Sequence, residues 1–381
     1  MTIVFLALAA LQLLALVVVL VRLAPGYRRV RPVPPMPGGL AGTSVTVIVP
    51  TRNEASRLGP CLDALRREGD PLREVLVVDG ESTDDTRALV DAVARQDGRF
   101  HLVAEPALPS GWIGKVWALQ HGLSLAQGEW VLGVDADTEG ERGFVAGVVA
   151  AARAHDLQLV SFSPRFDGQT AGERWLQPSM LMTLIYRVGA PTSRPAPERV
   201  MANGQCFLAR RDILQAHGGY QLARGSFADD VTLAREYAKR GVRVGFLDGR
   251  ALYRVRAYRN ARQMWREWGR SFDLSDATAP GRQWLDVCVI LGAQGVAWPL
   301  FLALSITGGS GTGLRALAWW TSGALVLVRV LMNAAIAESY VRRGWAFWLS
   351  PLSDPAAAVR LVWSTVRRPN TWRERVYRLE Q

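Results

Sequence analysis

The sequence predicts an α/β domain with a mostly parallel sheet, joined to several transmembrane helices. Short β-branched runs alternate with helical patterns through the middle of the chain, and this alternation predicts a parallel sheet with helices on both faces. Uncharged stretches near the two ends are each long enough to cross a bilayer as a helix. In addition, an acidic triplet, Asp135-Ala136-Asp137, directly follows one of the β-branched runs.

The composition fits a sizeable globular domain with a membrane part. Of 381 residues, 49% are hydrophobic, and 45 Lys and Arg against 34 Asp and Glu give a formal net charge of +11. This basic excess suits a protein held against an anionic bilayer, and the apolar stretches argue against nucleic acid as the partner. Cys61, Cys206 and Cys288 show no CxxC spacing, which predicts reduced structural thiols facing the cytosol. None of the four histidines lies close to a cysteine, which argues against a zinc site.

The N-terminal stretch, residues 3–21, has no charged residue and predicts a membrane anchor over residues 1–22. A cleaved signal peptide is the alternative, but no basic residue precedes the stretch and no clear small-x-small site follows it. Arginines come next, at Arg22, Arg28, Arg29 and Arg31. The positive-inside rule therefore places the following segment in the cytoplasm, at the inner face of the cell membrane. Residues 23–43 form a linker rich in proline and arginine, and proline makes such a segment stiff.

Two more apolar stretches, residues 287–306 and 316–337, predict a transmembrane hairpin over residues 286–338, closed by a Gly/Ser-rich turn at 308–313. Basic residues at Arg342 and Arg343 return the chain to the cytoplasmic side, which makes the protein multi-pass. Arg329 lies inside the third stretch, where it is tolerable if it faces protein or snorkels to the surface.

The C-terminal region, residues 339–381, predicts an interfacial or re-entrant segment followed by a cytoplasmic tail. Residues 345–366 are apolar and rich in tryptophan, but they carry Asp354, Pro355 and Arg360. Such a mixture favours the membrane interface over a full span.

Four short, mainly apolar runs, the first of them β-branched, predict strands of the domain at residues 44–257. They are residues 45–50, 75–79, 100–104 and 130–134. Because ligands bind at the carboxyl ends of strands in such sheets, acids that follow strands are candidate ligand contacts. Hard carboxylate oxygens beside a diphosphate suit Mg²⁺ or Mn²⁺, although acidic pairs after strands are also common as turns and caps.

Four motifs, in this order, resemble the nucleotide-sugar half of family-2 glycosyltransferases with the GT-A fold. They are Pro50-Thr51-Arg52-Asn53-Glu54, Val77-Val78-Asp79, Gly114-Lys115-Val116-Trp117 and Asp135-Ala136-Asp137-Thr138. The resemblance covers about residues 45–270 and implies a Rossmann-like GT-A domain. The sequence departs from the family at Gly80, where a second Asp is usual, and at Glu267, which replaces the Trp of the QxxRW motif.

The resemblance implies a nucleotide-sugar donor, a UDP-sugar being favoured, together with a set of donor-binding residues: Pro50, Thr51, Arg52, Asn53, Glu54, Asp79, Lys115, Asp135, Ala136, Gln263 and Arg266. Asp79 would accept a hydrogen bond from the N3–H of uracil, and Asp137 would bind the metal. The alternatives are a helix cap for Asp79, a first-turn acid for Glu54 and a solvated surface position for Lys115.

In the second half of the domain, the resemblance implies that Asp230 is the general base that takes the proton of the acceptor hydroxyl. A single base implies one displacement with inversion. Asn203, Gly204, Asp229 and Trp265 would lie on the acceptor side. The alternative for Asp229 and Asp230 is that both merely cap the helix that follows.

Residues 258–285 predict an amphipathic interfacial segment. As a helix, its first part places Trp265, Trp268 and Phe272 on one face, with arginines around the rest. Gln263 and Arg266 fall in this segment, so the same helix is predicted both to contact the bilayer and to line the active site.

Two classes of function follow. The first is an inverting transferase that glycosylates a membrane lipid; the 111–118 motif and the 371–377 tail resemble the branch that acts on carotenoid- or hopanoid-type lipids, and ceramide or diacylglycerol glycosylation is the nearest alternative. The second is a non-catalytic scaffold that binds nucleotide sugars, which the loss of the second acid at Gly80 would suit. No pattern in the sequence specifies the sugar or an oligomeric state.

Overall fold

The computed structural model describes residues 2–28, 31–190, 195–308, 312–367, 371–372 and 375–377. The chain divides into two compact units. The membrane unit comprises Met1–Arg29, Asp167–Pro191 and Tyr258–Pro369, and the sheet unit comprises Val30–Phe166, Thr192–Ala257 and Asn370–Gln381. Some residues used in the sequence predictions lie outside the described residues: Arg29, 309–311 of the turn, and Arg373 with Glu374 of the tail.

The strands all belong to the sheet unit and are numbered in chain order: β1 (Val45–Thr51), β2 (Leu72–Asp79), β3 (Phe100–Ala104), β4 (Trp130–Gly133), β5 (Thr138–Gly140), β6 (Leu159–Ser163), β7 (Arg165–Phe166), β8 (Phe207–Arg210), β9 (Val244–Asp248), β10 (Tyr253–Val255), β11 (Thr371–Trp372) and β12 (Arg375–Val376).

The α-helices are α1 (Thr2–Leu23), α2 (Ala55–Arg66), α3 (Thr86–Ala94), α4 (Gly114–Leu125), α5 (Phe144–Ala154), α6 (Ala171–Val188), α7 (Arg211–Ala216), α8 (Asp229–Lys239), α9 (Ala261–Phe272), α10 (Pro280–Ile290), α11 (Ala297–Ile306), α12 (Gly313–Ile336), α13 (Gly344–Trp348) and α14 (Asp354–Val366).

The main sheet has seven strands in the order β3-β2-β1-β4-β8-β6-β9. All neighbours are parallel except β8, which is antiparallel to both β4 and β6. The chain runs outward from β1 through β2 to β3, and then returns to place β4 on the other side of β1. This reversal creates a crevice at the carboxyl ends of β1 and β4, where open α/β sheets bind ligands.

Apolar side chains alternate between the two faces of the sheet, as the two-residue period of a strand requires. Val47 and Val49 of β1 join one buried cluster with residues of α2, α3 and α5, whereas Ile48 joins the other with residues of α4 and α8. The mostly parallel sheet with helices on both faces confirms the predicted fold class.

Three helices in the described residues are long and apolar enough to cross a membrane: Ile3–Gly26, Pro280–Ile306 and Gly313–Ser339. The second combines α10 and α11 through a π-helical turn, Leu291–Val296. It begins at Pro280, before the start of the apolar stretch at residues 287–306. Within the membrane unit α1 packs on α12, and Gln12 Nε2 donates to the carbonyl of Gly292 at 2.9 Å. The side-chain N–H of the one amide in the N-terminal stretch thus bonds to a neighbouring helix, whereas its buried Oε1 has no hydrogen-bond partner among the described residues.

Arg329, which the sequence predicted either to face protein or to snorkel to the membrane surface, faces protein. Its Nε lies 2.8 Å from Asp354 Oδ2, and both side chains are buried. Asn333 Oδ1 and Ser179 Oγ accept further hydrogen bonds from the same guanidinium, at 3.1 and 3.2 Å. Residues 345–366 form the short helices α13 and α14, and Asp354 at the start of α14 is the counter-ion of Arg329.

Breaking this ion pair should destabilise the membrane unit. Arg329→Met leaves the buried Asp354 carboxylate unpaired, at a cost of roughly 3–5 kcal/mol, so thermal unfolding in detergent, followed by tryptophan fluorescence, should occur at a clearly lower temperature. Arg329→Met with Asp354→Leu should recover most of the loss, and Arg343→Met, an exposed control, should change little. A double variant no more stable than Arg329→Met would contradict this account.

Candidate active site

The predicted donor segments of the sheet unit meet at the carboxyl ends of β1, β2 and β4. Thr51, the last residue of β1, pairs with Asp79, the last residue of β2. The backbone N–H of Val134 donates to the carbonyl of Ile48 at 3.0 Å, an ordinary hydrogen-bond distance. The Asp135–Asp137 segment therefore leaves the sheet beside β1. The sequence prediction that these segments converge on one edge of the sheet is thus realised within this unit.

Side-chain contacts tie the loop after β1 to the loop after β2. Asn53 has a left-handed backbone with φ +53°; its N–H donates to Ser82 Oγ at 2.9 Å, and its Oδ1 accepts from the N–H of Thr83 at 2.8 Å. The N–H of Glu54 donates to Thr86 Oγ1 at 2.9 Å. Asn53 is therefore engaged in holding the two loops together, a role that its position in the motif did not indicate.

Asp79 presents one free carboxylate oxygen. The residue is 3% exposed; its Oδ2 accepts from the N–H of Ser82 at 3.1 Å, and its Oδ1 has no hydrogen-bond partner among the described residues. Arg52 lies next to it and donates from Nη1 to the carbonyl of Gly80. A buried acceptor without a partner is costly, so Oδ1 is a candidate contact for a ligand N–H.

Arg57 links two of the predicted acids. Its Nη2 lies 2.7 Å from Glu54 Oε2, and its Nη1 lies 3.8 Å from Asp137 Oδ2. Glu54 is buried, with 6% exposure. The arginine thus holds Glu54 in a salt bridge and sets the position of the Asp137 carboxylate.

Lys115 is the cation at the centre of the other acids. It is the second residue of α4, and its Nζ lies 2.8 Å from Asp135 Oδ1. A Cβ at position 204 would lie 2.7 Å from the same Nζ, so Gly204 leaves room for the ammonium group. Burial lowers the pKa of Lys115, but the charges of Asp135, Asp229 and Asp230 outweigh it and raise the pKa above the usual value.

Asp229 and Asp230 form the first turn of α8. Asp230 accepts hydrogen bonds from the N–H of Gly204 at 2.7 Å and from that of Val231 at 2.8 Å, so its carboxylate is fixed in place. Burial, with the charges of Asp230 and Asp135, raises the pKa of Asp229 to about 7, although Lys115 acts in the opposite direction. Burial also raises the pKa of Asp230, against the effects of Lys115 and the two N–H groups.

The donor set fits a hard divalent cation that a diphosphate would help to bind. Carboxylates outnumber cations here: Glu54, Asp135, Asp137, Asp229 and Asp230 against Arg57 and Lys115. Burial raises the pKa of the Cys61 thiol, and the charges of Asp137 and Asp135 raise it further. The effect of these two acids on the thiol indicates that negative charge is concentrated here. No group of three acidic, His or Cys side chains among the described residues could hold a metal alone, as expected where substrate phosphates complete the shell.

The remaining predicted residues divide between the two units. Pro50 and Thr51 end β1, Ala136 is buried between the two acids, and the N–H of Asn203 donates to Ser161 Oγ at 2.7 Å. Gln263, Trp265 and Arg266 lie on α9 of the membrane unit. There, the Arg360 guanidinium donates to the carbonyls of Trp265 and Arg266, at 2.8 and 3.1 Å. The roles of Gln263, Trp265 and Arg266 in the donor or acceptor site remain predictions.

Three side chains of this site were not found from the sequence. Arg57 could have been identified as the partner of Glu54 one helical turn earlier, and Glu105 as an acid that follows a strand, just as Asp79 does. Tyr377 belongs to the 371–377 tail that resembles the family branch, but the sequence did not place it at this site: its hydroxyl accepts from the N–H of Gly114 at 3.3 Å, and its ring lies 5.7 Å from that of Phe227.

Comparisons with known proteins show what part of the sheet unit is similar to. Residues 46–218 match the family model described as glycosyl transferase family 2. An uncharacterized glycosyltransferase of Rickettsia felis is 32% identical over 95 residues, which cover 25% of this chain and 29% of that protein. A 4,4'-diaponeurosporenoate glycosyltransferase of Staphylococcus aureus is 25% identical over 228 residues, 59% of each chain. This chain therefore spans under two thirds of the length of these relatives.

Among solved structures, the mannosyltransferase PcManGT from Pyrobaculum calidifontis, in complex with GDP-Man and Mn²⁺, resembles this chain with a TM-score of 0.55 and 23% identity, over 94% of this chain and 98% of that one. This likeness confirms the predicted GT-A fold. The family whose model matches residues 46–218 is the one that the motifs of this chain resemble. The relatives of this chain include members of the predicted carotenoid branch.

The acidic pair of α8 predicts a pH dependence for glycosyl transfer. A carboxylate base must be ionised, and burial raises the pKa of Asp230 above the usual value of an aspartate, so kcat/KM should fall at a higher pH than that at which an exposed aspartate takes up its proton. In Lys115→Gln the acids lose the cation that lowers their pKa values, so this acid limb should shift to higher pH, whereas Lys115→Arg should keep it close to that of the wild type. An acid limb that does not move in Lys115→Gln would contradict the proposed coupling.

Proposed function

We propose that the protein is a membrane-bound, inverting glycosyltransferase that moves a sugar from a UDP-sugar to the hydroxyl group of a membrane lipid, of carotenoid or hopanoid type. The observation that carries the proposal is the cluster of Asp135, Asp229 and Asp230 around Lys115, at the carboxyl edge of a GT-A sheet. The same chain has three helices long enough to cross a membrane.

For the donor, the free Oδ1 of Asp79 supports binding of a base through an N–H group, and uracil offers its N3–H. The PcManGT structure contains GDP-Man, whereas a UDP-sugar is the donor favoured by the motifs of this chain. Arg52 would border the base, and Lys115 would contact the diphosphate. Gln263 and Arg266 of α9 are predicted to contact the donor as well.

Asp137 would hold Mg²⁺ or Mn²⁺, with Asp135 near the ribose. The metal would supply positive charge that stabilises the leaving diphosphate. Mn²⁺ is present in the PcManGT structure. Arg57 would position Asp137 for this contact, because its guanidinium lies between that residue and Glu54.

Asp230 would act as the general base. Its carboxylate is oriented by the N–H groups of Gly204 and Val231, and it would take the proton of the acceptor hydroxyl as that oxygen attacks the anomeric carbon and the diphosphate leaves. One base and one displacement give inversion. Asn203, Gly204 and Asp229 would frame the acceptor, with Trp265 of α9 as a further predicted contact.

The lipid acceptor is supported by the apolar helices and by the staphylococcal relatives, whose name specifies a carotenoid acid. A ceramide- or diacylglycerol-type glycolipid synthase is the alternative with the same chemistry. A non-catalytic nucleotide-sugar scaffold is the alternative of a different class; the retention of Asp137, and of Asp135 and Asp230 in one cluster around Lys115, argues for the enzyme.

Transfer from a radiolabelled UDP-sugar to total membrane lipid by the purified protein tests the proposal. Asp230→Asn should lower turnover by roughly 10²–10⁴-fold through loss of the general base, while UDP binding measured by calorimetry stays close to that of the wild type. Asp229→Asn is the matched control and should keep more activity. Normal turnover in Asp230→Asn with loss in Asp229→Asn would move the base to Asp229, and no transfer by the wild type would favour the scaffold.

We also propose a topology with the sheet unit on the cytoplasmic side of the cell membrane, because Arg22, Arg28, Arg342 and Arg343 flank the helices on the side that the positive-inside rule makes cytoplasmic. Cysteine labelling in intact cells tests it, in a Cys288→Ser background that removes the exposed native thiol. Thr312→Cys between the helices should react with an impermeant reagent, and Gly98→Cys on the sheet unit only after permeabilisation. Labelling of Gly98→Cys in intact cells would overturn the topology.

A further inference from the structure

The carboxyl ends of β2 and β3 place two acids side by side. Asp79 pairs with Ala104 in the register of these strands, and the N–H of Glu105 donates to the carbonyl of Asp79 at 3.0 Å. Glu105 therefore follows β3 at the level where Gly80 follows β2.

The side chain of Glu105 occupies the space that a side chain at position 80 would need. A Cβ built on Gly80 would collide with Glu105 Oε2 and would approach the carbonyl of Thr51 at 3.4 Å. At position 80 the motif that this chain resembles usually has a second Asp, whereas this chain has Gly80. The carboxyl group beside Asp79 comes from Glu105, which follows the neighbouring strand.

Both acids present a buried oxygen without a protein partner. Glu105 Oε1, like Asp79 Oδ1, has no hydrogen-bond partner in the part of the chain that the structure describes. Leaving two adjacent buried acceptors unpaired is unfavourable. The two oxygens therefore indicate that a ligand binds here and presents two neighbouring polar groups to them.

We propose that Glu105 is a specificity-determining residue for the nucleobase of the donor, and that its carboxyl group hydrogen-bonds the base next to the contact made by Asp79. The inference rests on the proposed nucleotide-sugar donor. The edge of uracil carries one N–H between two carbonyl oxygens, so when Asp79 accepts from N3–H, the neighbouring side chain must donate to a carbonyl oxygen. A protonated carboxyl group does so.

The surroundings of Glu105 favour that protonated form near neutral pH. Burial raises its pKa to about 7; Arg375 and Arg52 act to lower it, and Glu81 and Asp79 act to raise it. Arg375 is itself paired with Glu81 at 2.8 Å. Ionised, Glu105 would repel the uracil carbonyl and suit guanine, which presents two N–H donors on the corresponding edge.

Calorimetry of UDP binding to the full-length protein with Mn²⁺ tests this assignment. In the wild type, UDP affinity should fall about tenfold between about pH 7 and about pH 8.5, as the donor on Glu105 is lost, whereas GDP affinity should not fall. Glu105→Gln keeps an N–H donor at every pH and should bind UDP with little pH dependence. Glu236→Gln, on the exposed side of α8, is the control and should follow the wild type.

A second pair of variants tests the shared space without relying on titration. Gly80→Ala should displace the Glu105 carboxyl group and weaken UDP binding about as much as Glu105→Ala does, and the double variant should bind no worse than either, because the two changes remove one interaction. Additive losses, or a Glu105→Gln variant with the pH dependence of the wild type, would overturn the role of Glu105. Failure of the wild type to bind UDP at all would instead count against the proposed donor.

Discussion

Lys115 lies between carboxylates that come from two different parts of the sheet unit. Asp135 follows β4, whereas Asp229 and Asp230 begin α8, and like charges this close would repel each other. The ammonium group at the start of α4 offsets that repulsion, and Gly204 leaves the room it needs. Removing this cation would raise the pKa values of the acids, so the proposed base and the proposed diphosphate contact both depend on the same charge.

The sheet topology explains why these groups can meet at all. Placing β4 beside β1 brings the acids after β4 next to the loop after β1, and Arg57 of α2 then bridges Glu54 and Asp137. Even with both cations, carboxylates remain in excess. A divalent ion would offset part of this excess negative charge and could also bind a diphosphate, which connects the local charge arrangement to the proposed transfer of a sugar from a nucleotide.

Local patterns predicted much of this arrangement, because strands and strand-end motifs are encoded by adjacent residues. β3 has the bounds expected from the apolar run at residues 100–104. The family-like motifs pointed to Asp79, Lys115, Asp135 and Asp230 as candidate site residues. Pairings between distant segments could not be predicted. The antiparallel insertion of β8 depends on contacts with β4 and β6. Asp354 neutralises Arg329 from a separate helix, and Glu105 occupies the space left by Gly80.

The central claim is that a nucleoside diphosphate binds to this acidic edge together with a metal held by Asp137. Calorimetry with UDP, in the presence and absence of Mn²⁺, tests it most directly on the wild type, on Asp137→Ala and on Asp212→Ala, which removes an exposed acid elsewhere in the same unit. The account predicts metal-dependent UDP binding in the wild type and in Asp212→Ala, and loss of that dependence in Asp137→Ala. Metal-dependent affinity that is unchanged in Asp137→Ala would contradict it.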